Sequence, residues 1–474
     1  MKKIIGLALV PLLMLSACKR DITSINVNPK RPTSAPAGAL FTSAQRNMAN
    51  VLTSTNVNTN IFRLVVQYWQ ETTYTDESRY DITTRQQPAG LWNTIYRDVI
   101  RDLREAKKLI PEQVTTDAEM RDNQLAITEI QEIFAWYYLV TTFGDAPYTE
   151  ALNIEVQQPV YDKQQAIYND LLTRLDAAIA KLKTSGESFE TGDILYGGDV
   201  AAWKKFANSF KLKMGMTIAD ADAAKAKATV ESAVAAGVFT SNADNAVFQY
   251  LAAPPHTNPV WVDLVQSGRK DFVAASTIVN RVQALNDPRL EAFFTTDASG
   301  GYSGGQPGAS SNYATFSKPD EALQDPDAPA TLLSYAEVEF FLAEAKERGF
   351  NVPGTAAEHY AKAVTASIQE WGGTTAEATA YLLQPGVVYS SANWKQRIGE
   401  QKWIALYNRG WDAWIEWRRL DYPQLTKATG AVSEIPLRFT YPIPEQNLNT
   451  ANFEAASASI GGNEVTTKLF WDKF

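Results

Sequence analysis

Residues able to do chemistry are few in this chain and poorly arranged for it. Zinc needs several histidine, cysteine or carboxylate ligands at short spacing, and the 474 residues hold only His256, His359 and Cys18 besides the acids. Asp220-Ala221-Asp222 and Asp325-Pro326-Asp327 lack the glycine and terminal glutamate of an EF-hand loop. A structural calcium ion stays open, and no other cofactor is expected. Gly301-Tyr302-Ser303-Gly304-Gly305 matches the letters of a nucleophile elbow, a motif that works only where a strand enters the serine and a helix leaves it. Glycine, serine and proline flank it instead, so it reads as a flexible loop. Paired carboxylates for glycoside hydrolysis need lie only about 5 to 10 Å apart, and 53 acidic residues guarantee chance pairs. None stands in a setting that marks a catalytic acid, so the chain reads as a non-enzyme.

What the loops do carry is rings. Trp69, Tyr74, Tyr80, Trp261, Tyr302 and Tyr313 lie in or beside segments with no apolar period to bury them. Flat rings bind sugar faces or peptide side chains, with neighbouring Asn, Gln and Arg supplying directional hydrogen bonds. These six are the candidate ligand-binding residues, with core packing weighed equally for each.

The elements that must hold those loops are helices. Leu91 to Ile110 repeats apolar residues at helical spacing and should stop at Pro111; further helices are expected over 123–142, 161–182, 200–218, 221–236, 333–348 and 356–371. Amphipathic pairs of this length resemble tetratricopeptide repeats, which bury their faces only against neighbours. Residues 295–330, rich in glycine and proline, read as a long surface excursion. Between Trp394 and Tyr422, five of the twelve tryptophans alternate with charges, and Gly410 should break the stretch into two helices. Aromatic area of this kind welds a core. The expected fold is mostly α, with tetratricopeptide-like helix pairs, long irregular loops and minor β.

At the amino terminus Lys2 and Lys3 precede an apolar run from Ile4 to Leu15, too short to span a bilayer, so residues 1–17 read as a signal peptide. Leu15-Ser16-Ala17-Cys18 resembles the lipobox of bacterial lipoproteins, in which the cysteine is acylated. Several acyl chains anchor a protein to a membrane stably. Residues 18–37 read as a lipidated, proline-rich tether and 38–474 as one domain. A net charge of −9 without a basic run argues against nucleic acid.

Over nearly its whole length the chain resembles the SusD/RagB family of nutrient-binding lipoproteins, in its SusD-like branch. The resemblance rests on the Cys18 lipobox, Phe143-Gly144-Asp145-Ala146-Pro147-Tyr148, Asn258-Pro259 and Asn286-Asp287-Pro288-Arg289. Ser334-Tyr335-Ala336-Glu337, Ala343-Glu344-Ala345, the run Glu400 to Leu406, and Tyr441-Pro442-Ile443-Pro444 complete it. It implies an α-helical fold, an outer-membrane, lipid-anchored and surface-exposed position, and no bond chemistry. It also implies a partner, a SusC-like TonB-dependent barrel that imports an oligosaccharide or oligopeptide captured beneath the lipoprotein lid. Lys19-Arg20-Asp21 stands where surface-exported members often carry an acidic run. Ligand residues vary in the family, so the six loop aromatics remain a reading of this sequence alone.

Overall fold

Amphipathic helices that cannot bury their apolar stripes alone stack here against their sequence neighbours. The computed structural model describes residues 35–474; the expected signal peptide, Cys18 and the tether up to residue 34 lie outside them. Counting helices of eight residues or more, the order is α1 Ala37–Thr53, α2 Arg101–Gln113, α3 Ala118–Phe143, α4 Gln164–Lys181, α5 Val200–Thr217 and α6 Ala223–Ala236. After α7 Ser276–Ala284 come α8 Tyr335–Glu347, α9 Ala356–Glu370, α10 Thr375–Leu382, α11 Trp394–Ala405, α12 Gly410–Leu420 and α13 Thr450–Ser459. The closest pairings are α3 with α4, α5 with α6 and α8 with α9. Among the described residues, strand is confined to two antiparallel two-stranded ribbons, β1 Trp69–Glu71 with β3 Phe272–Ala274, and β2 Ala246–Phe248 with β4 Ala330–Leu333. The mostly helical architecture with minor β is as the sequence predicts, and among the described residues no helix is long and apolar enough to cross a membrane.

Side-chain caps set the helix starts. Asp117, Asp199, Asp222, Ser334 and Thr355 each accept a backbone N–H of the following helix, satisfying donors that the first turn leaves free. Asp222 is thus a helix cap, and Asp220 holds Arg348 through two bonds of 2.8 and 2.7 Å. Pro111 does not stop its helix. The chain forms Gln87–Asn93, a π-turn Thr94–Ile100 and then α2, which runs on to Gln113 with Pro111 in its last turn. There a proline forfeits a single hydrogen bond.

The tryptophan-rich stretch is part of the buried core. Every residue of α12 is buried, and Gly410 marks the break from α11. A side chain at 410 would sit 2.5 Å from the backbone nitrogen of Arg63, so glycine permits that close crossing. Three of the four charges on α12, Asp412, Glu416 and Arg419, are paired inside the core, while Arg418 donates to the carbonyls of Thr141, Trp414 and Leu437. Lys213 of α5 reaches Glu337 at 2.8 Å and Asp412 at 2.5 Å, Arg409 reaches the same two acids at 2.8 and 2.7 Å, and Lys402 reaches Glu416 at 2.8 Å. Arg419 grips Glu344 through both amino groups at 2.5 and 2.6 Å. Buried charges hold together only when paired and hydrogen-bonded in this way. Burial alone would raise the Glu344 carboxyl, but Arg419 and Arg348 hold it down at about 2.

Residues 295–330, expected as a surface excursion, are instead stitched to the body. Phe294 bridges Pro319, Gly305 bridges Ala275, and the segment ends in β4.

Candidate functional site

Two of the six loop aromatics meet at one cavity. Trp261 and Tyr313 line a space of about 530 Å³ together with Lys318, Glu321, Gln324 and Asp325, within the volume of ordinary small-molecule sites. Both residues are half-buried.

Short-range chemistry holds them in place. Asn258 accepts the Val260 N–H at 2.7 Å, and Pro259 begins the turn Pro259–Trp261 that carries the indole. The Asn258 amide nitrogen donates to the Ala328 carbonyl at 2.7 Å, and its backbone N–H to Pro326 at 2.7 Å. One asparagine therefore sets Trp261 and pins the chain at 326–328. Tyr313 sits on a turn closed by Asn312, whose side chain accepts the Ala314 N–H at 2.9 Å; Ser311 N–H donates to Thr72 at 2.8 Å, tying this turn to the end of β1. Lys270 and Lys318 place their ammonium groups 5.6 and 5.3 Å from the Tyr313 ring centre, a cation–π arrangement that restrains the ring. Gln324 donates to the Pro319 carbonyl at 2.8 Å, within the turn Glu321–Gln324 that Asp320 caps.

Two smaller recesses adjoin the cavity through shared lining residues. Tyr313, Lys318 and Gln324 also border a small recess with Arg269 and Asp271, and those two border the next recess with Tyr74 and Arg85. Tyr74 is 68% exposed and stands at the far end. Trp261, Tyr313 and Tyr74 thus lie along one track rimmed by charges of both signs, with Arg269 and Asp271 paired at 2.6 Å.

The other three aromatics lie elsewhere. Trp69 and Tyr80 are each 1% exposed and belong to the core. Trp69 donates to the Tyr407 hydroxyl at 3.1 Å, and the Tyr80 hydroxyl accepts from Gln67 at 3.3 Å and from Ala428 N–H at 3.2 Å. With faces covered and polar atoms satisfied, they offer nothing to a ligand from solvent. Tyr302 is half-buried against the core and does not border the cavity. Sequence reasoning passed over Lys318, Glu321, Gln324 and Asp325, because polar residues in a loop carry no local mark of convergence.

The residues weighed for catalysis and metal binding have structural partners. Ser303 donates to Asp297 at 2.7 Å inside a turn, and no helix follows it. His359 has Glu339 at 2.6 Å from Nδ1 and the Pro353 carbonyl at 2.7 Å from Nε2. Among the described residues no three or more His, Cys, Asp and Glu side chains gather as a metal site.

The sequence matches the model of the SusD-like family, described as starch-binding and associating with the outer membrane, across residues 29–442. The chain belongs to the SusD-like family. No curated protein sequence matches it. Among solved structures, it is similar to a chitin-binding protein with 27% identity and a TM-score of 0.81, over 92% of this chain and 100% of that one. A SusD homologue from Bacteroides uniformis matches with 26% identity and a TM-score of 0.77, over 92% and 99%. A chitin-binding SusD homologue from Flavobacterium johnsoniae shares the fold at 22% identity, with a TM-score of 0.78 over 92% and 98%.

The motifs that carried the resemblance are scaffold parts in this SusD-like chain. Asp287 and Arg289 form a buried two-bond pair at 2.9 and 2.6 Å. Asp145 caps α4 by accepting the Gln164 N–H at 2.8 Å, and Glu344 is the acid gripped by Arg419. Asn258-Pro259 does not line the cavity but starts the turn that carries Trp261 to it.

Proposed function

We propose that this SusD-like protein is a non-enzymatic capture subunit that binds an oligosaccharide along the Trp261–Tyr313–Tyr74 track. Anchored to the outer membrane through an acylated Cys18, it delivers that cargo to a SusC-like TonB-dependent barrel. The observation that carries the reading is the pair of half-exposed rings in one 530 Å³ cavity, with amide, ammonium and carboxylate groups at its edge. Rings supply area and polarised contact with the C–H faces of a sugar, and the polar edge reads hydroxyls. A track running on to Tyr74 favours an oligomer over a single ring. Because two similar structures bear the name chitin-binding, N-acetylglucosamine oligomers are the first cargo to try.

The test is calorimetric titration of the purified protein with the N-acetylglucosamine hexamer, malto- and cello-hexaose, and a peptide panel. Saturable binding of one glycan class that is weakened in Trp261→Ala supports the proposal. A protein that binds none of the panel while its barrel still imports the cargo would instead be a structural cap.

A further inference from the structure

Behind the turn Glu321–Gln324 lies a second cavity, of about 360 Å³. Glu321 and Gln324 face the aromatic cavity, whereas Asp320, Ala322 and Leu323 line this one; a single short turn divides the two. The remaining walls come from the end of α1 at Leu52, the end of α9 at Glu370 and Trp371, and the link Tyr407–Arg409 between α11 and α12. Its volume falls in the range of small-ligand sites.

Like Arg418 and Arg438, and unlike most cations of the core, one arginine of this cavity is buried without a contacting carboxylate among the described residues. Lys213, Lys402, Arg409 and Arg419 each have a carboxylate within 3 Å, but Arg63, 4% exposed, has none among the described residues. Its Nε donates to the Asn408 side-chain oxygen at 2.9 Å, and its two amino groups to the carbonyls of Ser54 and Thr53 at 2.8 and 2.9 Å. That uses three of the five N–H groups a guanidinium carries. Burial without a contacting anion pulls Arg63 down to about 10, the response of a desolvated cation short of counter-charge. The cavity also holds acceptors with room to spare. Glu370 takes the Thr331 hydroxyl at 3.1 Å on Oε1, Asp320 takes the Ala322 N–H at 3.0 Å on Oδ1, and the second oxygen of each has no donor among the described residues. Leu52, Leu323 and the Trp371 ring supply apolar wall.

We propose that this inner cavity binds a small zwitterion with an apolar body, of amino-acid to dipeptide size. The ligand carboxylate supplies the anion Arg63 lacks, its ammonium group bonds to the free oxygens of Glu370 and Asp320, and its side chain packs on Leu52, Leu323 and Trp371. Hydrogen bonds to charged groups are stronger than neutral ones; Arg63 is buried, while Glu370 is exposed to solvent. The site is separate from the aromatic track and does not depend on the nature of the cargo there.

Calorimetry with the Leu-Leu dipeptide tests it, using N-acetyl-Leu-Leu-amide, which lacks both charges, for comparison. Glu370→Gln keeps the shape and the Thr331 bond but removes the negative charge; Ala292→Leu narrows the cavity; the unfolding midpoint of each variant checks that it is folded. Saturable one-to-one binding of Leu-Leu is expected, at least tenfold weaker for the capped peptide and for either variant, and unchanged in Trp261→Ala. No binding, equal binding of the capped peptide, or affinity that survives either cavity variant overturns the proposal. Loss of dipeptide binding in Trp261→Ala overturns it as well, by placing the dipeptide in the outer cavity. Oligosaccharide titration of the same samples reads the outer site independently.

Discussion

In α11 and α12, the indole N–H groups of Trp403, Trp411, Trp414 and Trp417 donate to Val66, Thr142, Pro436 and Pro423 at 3.1, 2.9, 2.6 and 3.0 Å. Around Trp261 the indole N–H has no protein acceptor among the described residues, and a ring face meets the cavity. One side-chain type thus serves two ends, and its neighbours decide which. Where a ring repeats at helical spacing beside charges that find partners in the core, its indole N–H is bonded on burial and the ring becomes scaffold. Where the flanking chain is a proline-started turn held by one asparagine, the ring is fixed in position yet left open. Rigidity without burial is what a binding surface needs.

The largest expected effect breaks the scaffold side. Trp403→Ala should cost about 3 to 5 kcal/mol of stability, measured by denaturant unfolding, with glycan affinity unchanged wherever the variant is folded. A folded Trp403→Ala that loses affinity alone would collapse the distinction between the two regions.

Next in size is the acid sensitivity of the paired core. Burial raises Glu344 and Glu132, but their cationic neighbours, Arg419 and Arg348 for the first and Lys107, Arg174 and Arg104 for the second, hold both at about 2. Between about pH 4.5 and 2 the unfolded chain takes up protons that these folded carboxylates refuse. Stability should therefore fall as pH drops through that window, seen as a falling urea midpoint. Asp472 does the reverse. Buried with neither oxygen hydrogen-bonded by a side chain or backbone group, it is raised to about 6 against the partial opposition of Arg418, so its contribution is lost as pH rises from about 4 to 6. Asp472→Asn should remove that component and leave the acid loss in place.

On the open side, Trp261→Ala should leave the unfolding midpoint within about 0.5 kcal/mol of the parent while weakening oligosaccharide binding about tenfold or more, ~1.4 kcal/mol. The smallest effect is at the end of the track. Tyr74→Ala should leave short oligomers unaffected and weaken only those long enough to reach it, by a few-fold; titration with oligomers of increasing length locates that step.

Periodicity made the helices legible. Ile127, Ile130, Phe134 and Tyr137 lie on α3, and the split at Gly410 follows from the pattern of the stretch around it. Loop aromatics were legible only as a set. Trp69 sits in the three-residue strand β1, and its burial comes from pairing with β3 some two hundred residues later, which no local pattern encodes. Tyr80 is flanked by polar residues and adopts a left-handed backbone, φ 67°, that turns its ring inward. Trp261 and Tyr313 looked no different from these in sequence. The partners that complete the cavity, Lys318, Gln324 and Asp325, come together through the folding of 295–330 onto the body, a tertiary event whose glycines and prolines read locally as loop. Family motifs such as Asp287–Arg289 marked the scaffold and so named the fold more readily than the site.

Fluorine resonance of the protein labelled with 5-fluorotryptophan distinguishes the two regions in one sample, with Trp261→Phe identifying its signal among the twelve. On titration with an N-acetylglucosamine hexamer, or whichever glycan gives binding heat, the Trp261 resonance should shift saturably while those of Trp403, Trp411, Trp414 and Trp417 stay in place. Binding heat with a motionless Trp261 signal, or shifts confined to the buried set, would contradict the assignment of capture to the Trp261–Tyr313 cavity.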